Sequence, residues 1–271
     1  MNLAHEYAAR GFVVCQDLCD RSIVESLRVE AARIVDGRVG KVRGAFPGQR
    51  MEDVLAIHFP HKISPVMRET LRHPPIVAVL TELIGPDVKC MQSMLFVKSA
   101  GKPGQAWHQD EAFIPTQDAS LVGAWIALDD ATIDNGCLWM QPGSHAQRHL
   151  WPLQAHADAR FDSSPEATGF NRPREGGVAV EVKAGTVAFF NGFVLHRSLD
   201  NRRTNGFRRA LVNHYMSAHS LLPWSFGQSR FAPHDYRDIE LVAGIDPYAD
   251  RGTEDIAEPY VRPERPVNTS S

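Results

Sequence analysis

The chain has 271 residues, a formal net charge of −3 and 43% hydrophobic residues. A chain of this length buries roughly three quarters of its unfolded surface, so a large core is expected. Its charge is too close to zero for a protein whose main partner is nucleic acid, because phosphate binding needs a basic excess. No apolar run approaches the roughly 20 residues of a membrane span. Residues 1–10 also lack the apolar core of a signal peptide.

The four cysteines, Cys15, Cys19, Cys90 and Cys137, are too few and too irregularly spaced for a disulfide scaffold. Cys15 and Cys19 also lack the paired spacing of a zinc site. We therefore expect free thiols that are buried or partly buried. Together with the charge and hydropathy, this predicts a cytoplasmic protein with neither a nucleic-acid nor a membrane partner.

Helical patterns occupy the N-terminal third of the chain. Ser22 opens a capping-box pattern that is followed by apolar residues at helical spacing. Residues 38–54 are rich in Gly, Arg and Lys and predict a loop. A second helix is expected to begin with Ser64 as N-cap, and a third runs over about residues 75–83. These patterns predict a helical N-terminal part over about residues 1–85.

Beyond it the pattern changes to short strands separated by Gly, Pro and Asn turns. The predicted strands cover residues 88–98, 121–128, 137–141, 178–182, 186–190 and 210–216. Many short strands favour a mainly β fold with flanking α-helices, a sandwich or jelly roll, over a βαβ sheet.

The tail from about residue 231 is rich in charged residues and proline and has few periodic apolar positions. We predict one domain over residues 1–230, with the helical part packed on the β core. Residues 231–271 are predicted to form a partly flexible, surface-wrapping extension, whose last ten or so residues are disordered.

The segment with the clearest chemistry is His108-Gln109-Asp110. In an extended strand, residues two apart point to the same side, so His108 and Asp110 should converge. His196 is the leading candidate for a third ligand, and His214 is a competing late histidine. Two imidazoles and one carboxylate on one face of Fe(II) leave the opposite positions open for a chelating cosubstrate and O2.

Twelve residues after His196 lies Arg208, beyond a polar stretch that predicts a hairpin loop. We expect Arg208 to return beside His196 on the neighbouring strand, where its guanidinium could hold a carboxylate through two hydrogen bonds. Arg209 should point to the opposite face. Only one of the two arginines can therefore enter the site.

These residues, together with the stretches at 91–98, 123–128 and 135–145, resemble the phytanoyl-CoA hydroxylase family of iron- and 2-oxoglutarate-dependent dioxygenases. The resemblance spans roughly residues 12–218. It implies a double-stranded β-helix, that is, a jelly-roll or cupin-like core with helices outside it. It also implies Fe(II), 2-oxoglutarate and O2 as cofactor and cosubstrates.

The resemblance further implies that His108, Asp110 and His196 bind the metal. Arg208 and Ser198 would hold the far carboxylate of 2-oxoglutarate, and Met94 and Trp125 would line its pocket. Strand alternation places Cys90, Gln92, Met94 and Phe96 on one face, so Gln92 should reach the same cavity as a polar contact.

One family feature has no clear counterpart: an upstream lysine that touches 2-oxoglutarate in some members. His58, His61 and Lys62 lie in the corresponding region, and the sequence does not decide among them.

The resemblance implies hydroxylation with release of succinate and CO2. The sequence shows no long basic groove that would select a CoA phosphate, so we expect a small or medium-sized metabolite as substrate. The same oxidising chemistry could instead serve desaturation, epoxidation or oxidative ring closure in secondary metabolism. Another alternative is a non-catalytic jelly-roll protein that retains the metal site. The sequence fixes neither the substrate nor the oligomeric state.

Overall fold

The computed structural model describes residues 2–171, 176–221, 239–251 and 257–262. The α-helices are α1 (Leu3–Arg10), α2 (Arg21–Val35), α3 (Pro65–Thr70) and α4 (Pro74–Ile84). The strands are β1 (Phe12–Cys15), β2 (Ala56–His58), β3 (Val88–Ser99), β4 (Gln105–His108), β5 (Val122–Ala127), β6 (Leu138–Met140), β7 (Leu153–Gln154), β8 (Glu166–Ala167), β9 (Val178–Val180), β10 (Val187–Asn191), β11 (His196–Ser198), β12 (Phe207–Ser217), β13 (Glu240–Ala243) and β14 (Tyr260–Arg262). None of the helices in these ranges combines the length and apolar character needed to cross a membrane.

The strands form two facing antiparallel sheets and a short hairpin of β7 and β8. The major sheet has the order β1-β10-β5-β12-β3-β2-β14, and β13 also pairs with β3. The minor sheet has the order β4-β11-β6-β9. This is the jelly-roll core with flanking helices that the sequence predicted.

Strand alternation divides the core into two layers. On β5, Ala124 and Ile126 pack against the helices, whereas Trp125 and Ala127 face the minor sheet. The same alternation continues on β12, where Leu211 faces the helices and Val212 faces inward. The inward layer between the two sheets is where a ligand cavity can form.

The helices lie close to their predicted positions, with one correction at a helix start. The side chain of Asp20, not of Ser22, caps α2 by accepting a hydrogen bond from the Ile23 amide at 2.9 Å. The Ser22 hydroxyl instead donates to Asp20. Ser64 caps α3 as predicted, because its Oγ accepts from the Met67 amide. Helix α1 was not predicted.

All six predicted strands form, but one predicted strand face was wrong. The register between β12 and β3 shifts between His214 and Tyr215, which pair with Gln92 and Cys90. Met91 is thereby an extra residue, a β-bulge, and a bulge reverses which side the following residues face. Cys90 consequently packs in the helix-side core, whereas Gln92 faces the cavity.

The C-terminal residues contribute two strands that the sequence did not indicate. Strand β13 pairs with β3 and strand β14 pairs with β2, so both extend the major sheet. The last ten or so residues were predicted to be disordered. Apart from the first of them, they lie outside the described residues. The division into a domain over 1–230 and an extension stays a prediction.

Candidate active site

The three predicted metal ligands meet where the minor sheet lines the cavity. Strands β4 and β11 pair so that His108 and His196 stand opposite each other. The extended backbone ends at His108, and Asp110 begins a short 3-10 turn rather than continuing the strand. The turn still directs the Asp110 carboxylate to both imidazoles, because its Oδ1 lies 3.6 Å from His108 Nε2 and 3.5 Å from His196 Nε2.

Hydrogen bonds fix which nitrogen of each imidazole faces the site. Nδ1 of His108 lies 2.8 Å from the Ala106 carbonyl, and Nδ1 of His196 lies 3.0 Å from the Val194 carbonyl. Since a carbonyl oxygen only accepts, each Nδ1 carries a proton and each Nε2 is the nitrogen turned to the site. One ligand atom from each residue, two nitrogens and one oxygen, lies within 4.8 Å of the others.

The electrostatics favour metal-binding protonation states. Burial, reinforced by His196, lowers the pKa of His108 to about 3, so the ring is neutral at physiological pH. Burial opposes ionisation of Asp110, but the neighbouring histidines His196, His214 and His108 outweigh it and hold the pKa of this carboxyl below its usual range. Neutral imidazoles and an ionised carboxylate are the forms that bind a divalent metal.

A third histidine, His214 on β12, completes the surroundings of Asp110. Its Nε2 lies 3.0 Å from Asp110 Oδ2 and donates to it, which leaves Oδ1 turned to His108 and His196. The sequence marked His214 only as a competing late histidine. Its contact with Asp110 needed the three-dimensional pairing of β12 across the cavity.

The ligands line a cavity of about 650 Å³ between the two sheets. Its walls include the apolar side chains of Trp125, Leu138, Phe190 and Val212, which belong to the inward core layer. The lining also includes Phe59, Phe113, Ile114 and Tyr260. The volume falls within the range of about 300–1,000 Å³ that is usual for small-molecule sites.

Arg208 and Ser198 line the same cavity as the three ligands. Arg208 is 3% exposed, its Nε donates to the Gly136 carbonyl at 3.1 Å, and its guanidinium lies 5.6 Å from the centre of the Trp125 ring. Burial lowers the pKa of Arg208 to about 10, which still leaves it charged at neutral pH. No described acidic side chain pairs with this buried cation.

Arg208 reaches the cavity from a different direction than predicted. It lies on β12 in the major sheet, whereas His196 lies on β11 in the minor sheet, so the two strands face each other and are not neighbours. Arg209 points to the other face, where it forms an ion pair with Asp129 at 2.8 Å. The jelly-roll topology explains the difference, because consecutive strands of this fold can lie in opposite sheets.

Met94, Gln92 and Trp125 line the cavity, and their contact with 2-oxoglutarate stays a prediction. Of the three residues left undecided, only His58 lines it, with its ring stacked on Tyr260 at 4.2 Å between centroids. His61 Nδ1 is hydrogen-bonded to Ser93 Oγ at 2.6 Å. The Lys62 ammonium donates to the Ala257 carbonyl.

Several residues near the site were missed by sequence reasoning. Lys98 is buried behind Ser198, and its Nζ donates to Ser198 Oγ at 2.9 Å. Tyr260 and Arg262 come from the C-terminal strand β14, and Arg262 pairs with Asp162 at 2.8 Å. For Lys98 a signal existed, since it follows Gln92, Met94 and Phe96 at alternate positions. For the tail residues there was none.

Comparison with known proteins identifies the family. The sequence profile of the family described as phytanoyl-CoA dioxygenase (PhyH) matches residues 7–210, which is more than half of the chain. The chain belongs to the phytanoyl-CoA dioxygenase family. A phytanoyl-CoA dioxygenase of Arabidopsis thaliana is 31% identical over 150 residues, covering 53% of this chain and 50% of that protein. The peroxisomal phytanoyl-CoA dioxygenase of Rattus norvegicus is 29% identical over 240 residues, covering 78% of this chain and 67% of that protein. The chain matches about half the length of its plant relatives.

Solved structures share the fold of this family member. The non-heme monooxygenase ThoJ aligns with a TM-score of 0.70 at 20% identity and covers 97% of this chain and 88% of its own. The epimerase SnoN, solved with Fe³⁺, α-ketoglutarate and a nogalamycin compound, aligns with a TM-score of 0.62 at 25% identity. The alignment covers 81% of this chain and 84% of SnoN. The carbocyclase SnoK aligns with a TM-score of 0.66 at 22% identity, and the alignment covers 89% of this chain and 95% of SnoK.

Proposed function

We propose that the protein is an Fe(II)- and 2-oxoglutarate-dependent dioxygenase that hydroxylates a small or medium-sized metabolite and releases succinate and CO2. One observation carries the proposal. Two imidazoles and a carboxylate converge in a cavity that also presents a buried arginine without an acidic partner among the described residues.

The donor set suits Fe(II). His108, His196 and Asp110 supply two nitrogens and one oxygen, the combination typical of non-haem iron oxygenases with open positions. Both imidazoles are held by carbonyl groups through Nδ1, and His214 holds the carboxylate, so the donors are oriented before the metal arrives. When bound there, Fe(II) would supply O2 activation and oxidative decarboxylation of a 2-oxo acid.

The rest of the cavity suits a dicarboxylic 2-oxo acid. A buried cation without a counter-charge is costly, so Arg208 favours a ligand that brings an anion. The Ser198 hydroxyl adds a second polar group beside it, and the ring of Trp125 packs against the guanidinium. The surrounding apolar walls exclude water and thereby strengthen the interaction between Arg208 and a carboxylate.

The remaining volume accommodates a small or medium-sized substrate. Phe59, Phe113, Ile114 and Tyr260 offer apolar contact surface, and Gln92 and His58 add polar groups. The cavity volume of about 650 Å³ is within the range usual for small-molecule sites, which supports a small or medium-sized metabolite as the substrate.

A second outcome of the same chemistry has specific support. The fold neighbours SnoN and SnoK are an epimerase and a carbocyclase. This protein could likewise rearrange or cyclise its substrate instead of hydroxylating it. Product analysis separates the outcomes, because hydroxylation adds one oxygen atom, ring closure removes two hydrogens, and epimerisation leaves the mass unchanged.

The test is 2-oxoglutarate turnover by the Fe(II)-loaded protein in air, with succinate as the readout. A metabolite collection is screened for compounds that raise succinate formation, and their products are analysed by mass. His196→Ala is the matched control, because it removes one donor and leaves the cavity walls in place. Succinate formation that is lost in this variant supports the proposal. Iron-loaded protein that forms no succinate with any compound would favour a non-catalytic binding protein.

A further inference from the structure

A buried lysine that no role has yet explained lies behind the cosubstrate end of the cavity. Lys98 is 6% exposed and borders, with Ser198 and Arg208, a small void of about 30 Å³ beside the main cavity. It pairs in register with Arg208 across β3 and β12. Two basic side chains are thus buried next to each other, and neither forms an ion pair with a described acidic residue.

The hydrogen bonds of Lys98 use all the donors of an ammonium group. Its Nζ donates to Ser198 Oγ at 2.9 Å, to the Gly136 carbonyl at 3.4 Å and to the Leu199 carbonyl. Three acceptors match the three N–H groups of the charged form. No donor is left for a ligand, so Lys98 can act on a ligand only through its neighbours and its charge.

The acceptor capacity of Ser198 is filled in the same way. Its Oγ accepts from Lys98 Nζ and from the Gln105 amide at 3.3 Å, which occupies both lone pairs. Its own proton is donated to no described residue. Because Ser198 lines the main cavity, this proton is available to an acceptor inside it.

Gly136 is adapted to this arrangement. It adopts φ +80°, and its carbonyl accepts from both Lys98 Nζ and Arg208 Nε. A Cβ atom at this position would overlap the Leu199 carbonyl and crowd the Lys98 side chain. The turn at Gly136 thus holds the lysine and the arginine at a common acceptor.

We propose that Lys98 is a positioning residue for the cosubstrate: it turns the Ser198 hydroxyl into an obligate donor and, with Arg208, makes this end of the cavity selective for a 2-oxo acid with a second, distal carboxylate. This inference rests on the proposed function. Burial and the neighbouring Arg208 lower the pKa of Lys98 and thus disfavour its charged form, and an anion that enters the cavity acts in the opposite direction and favours it.

The test compares two ligands that differ in the distal carboxylate. Fe(II)-loaded protein is titrated without oxygen with 2-oxoglutarate and with 2-oxobutyrate, and the visible charge-transfer band gives each dissociation constant. Lys98→Met removes the ammonium and keeps the length of the side chain. We expect it to weaken 2-oxoglutarate binding about tenfold or more and to leave 2-oxobutyrate binding within about twofold.

Ser198→Ala, alone and combined with Lys98→Met, tests whether Lys98 acts through the Ser198 hydroxyl. If Lys98 acts through the hydroxyl, Lys98→Met weakens 2-oxoglutarate binding less in the Ser198→Ala background than in the wild type. Lys98→Gln is the second substitution in case Lys98→Met does not fold, and thermal unfolding of each variant checks the fold.

Three results would overturn the inference: wild-type affinity in both Lys98 variants, equal weakening of both ligands, or an undiminished effect of Lys98→Met in the Ser198→Ala background. A wild-type protein that gives no band with either 2-oxo acid would instead refute the proposed function itself. The two failures are therefore distinguishable.

Discussion

Replacing Arg208 by methionine should sharply weaken binding of 2-oxoglutarate. Among the described residues, the terminal nitrogens of Arg208 donate to no protein acceptor, because its one hydrogen bond runs from Nε to the Gly136 carbonyl. These nitrogens are therefore available for two charge-assisted hydrogen bonds, each contributing about 1.5–3 kcal/mol.

The expected loss is about 3–4 kcal/mol, somewhat below the sum of two such bonds, because the Lys98 ammonium remains behind the site. This corresponds to a dissociation constant that is about 100- to 1,000-fold higher. Arg208→Lys keeps the charge but loses the planar fork and the bond to Gly136, so we expect an intermediate loss of about tenfold.

Isothermal titration calorimetry of Zn(II)-loaded protein measures this affinity without redox chemistry. Arg209→Met is the matched control, since Arg209 is adjacent in sequence but forms its ion pair with Asp129 on the other face of the strand. The control should lose some stability and keep its affinity for 2-oxoglutarate. Equal weakening by both substitutions, or affinity within about threefold of wild type in Arg208→Met, would refute this reasoning.

Three further predictions concern metal binding, backbone geometry and pH. His214→Phe removes the donor to Asp110 Oδ2 and should lower metal affinity about 10- to 100-fold, as measured by competition with a chelating dye. Gly136→Ala should lower the free energy of unfolding by at least about 1–2 kcal/mol in denaturant titrations, because φ is +80° and a Cβ would meet the Leu199 carbonyl. Burial raises the pKa of Cys90 to about 12 from a usual value near 9, so the folded thiol keeps its proton where the unfolded thiol has lost it. The free energy of unfolding should therefore decrease as pH rises from about 9 towards 12, and less steeply in Cys90→Ala.

The first two of these predictions have a matched control elsewhere in the chain. His219→Phe alters an exposed histidine paired with Asp87 and should not change metal affinity. Gly143 has φ +75° but open space around its Cβ position, so Gly143→Ala should cost less stability than Gly136→Ala. Equal effects within either pair would contradict the argument made from the contacts. If the free energy of unfolding of Cys90→Ala fell with pH as steeply as that of the wild type, the argument from the pKa of Cys90 would be contradicted.

The sequence predicted those parts of the fold that depend on local patterns. The six strands and the cap of α3 by Ser64 follow from alternation, turn residues and helix-capping chemistry. The start of α2 was misplaced because Asp20 and Ser22 are both good N-caps, and in the structure it is Asp20 that accepts from the Ile23 amide. The inward face of β3 was wrong at Cys90, since a bulge at Met91 leaves no clear mark in the sequence.

The candidate site was predictable where its residues lie in one short motif and not where distant strands meet. His108 and Asp110 are two residues apart, whereas His196 and Arg208 were candidates whose roles the family resemblance implied. The contact of His214 with Asp110 and that of Lys98 with Ser198 join positions about a hundred residues apart. The pairing of Arg262 with Asp162 depends on where the C-terminal strand attaches, which charge and hydropathy do not indicate.

The most direct test of the proposed function is an anaerobic titration of the protein with Fe(II) and then with 2-oxoglutarate, followed by visible absorption. The account predicts a charge-transfer band in the wild type. The band should be absent in His108→Ala, which lacks one of the three donors. Iron-loaded wild-type protein that shows no band at saturating 2-oxoglutarate would contradict the assignment of His108, Asp110 and His196 as an oxygenase metal centre.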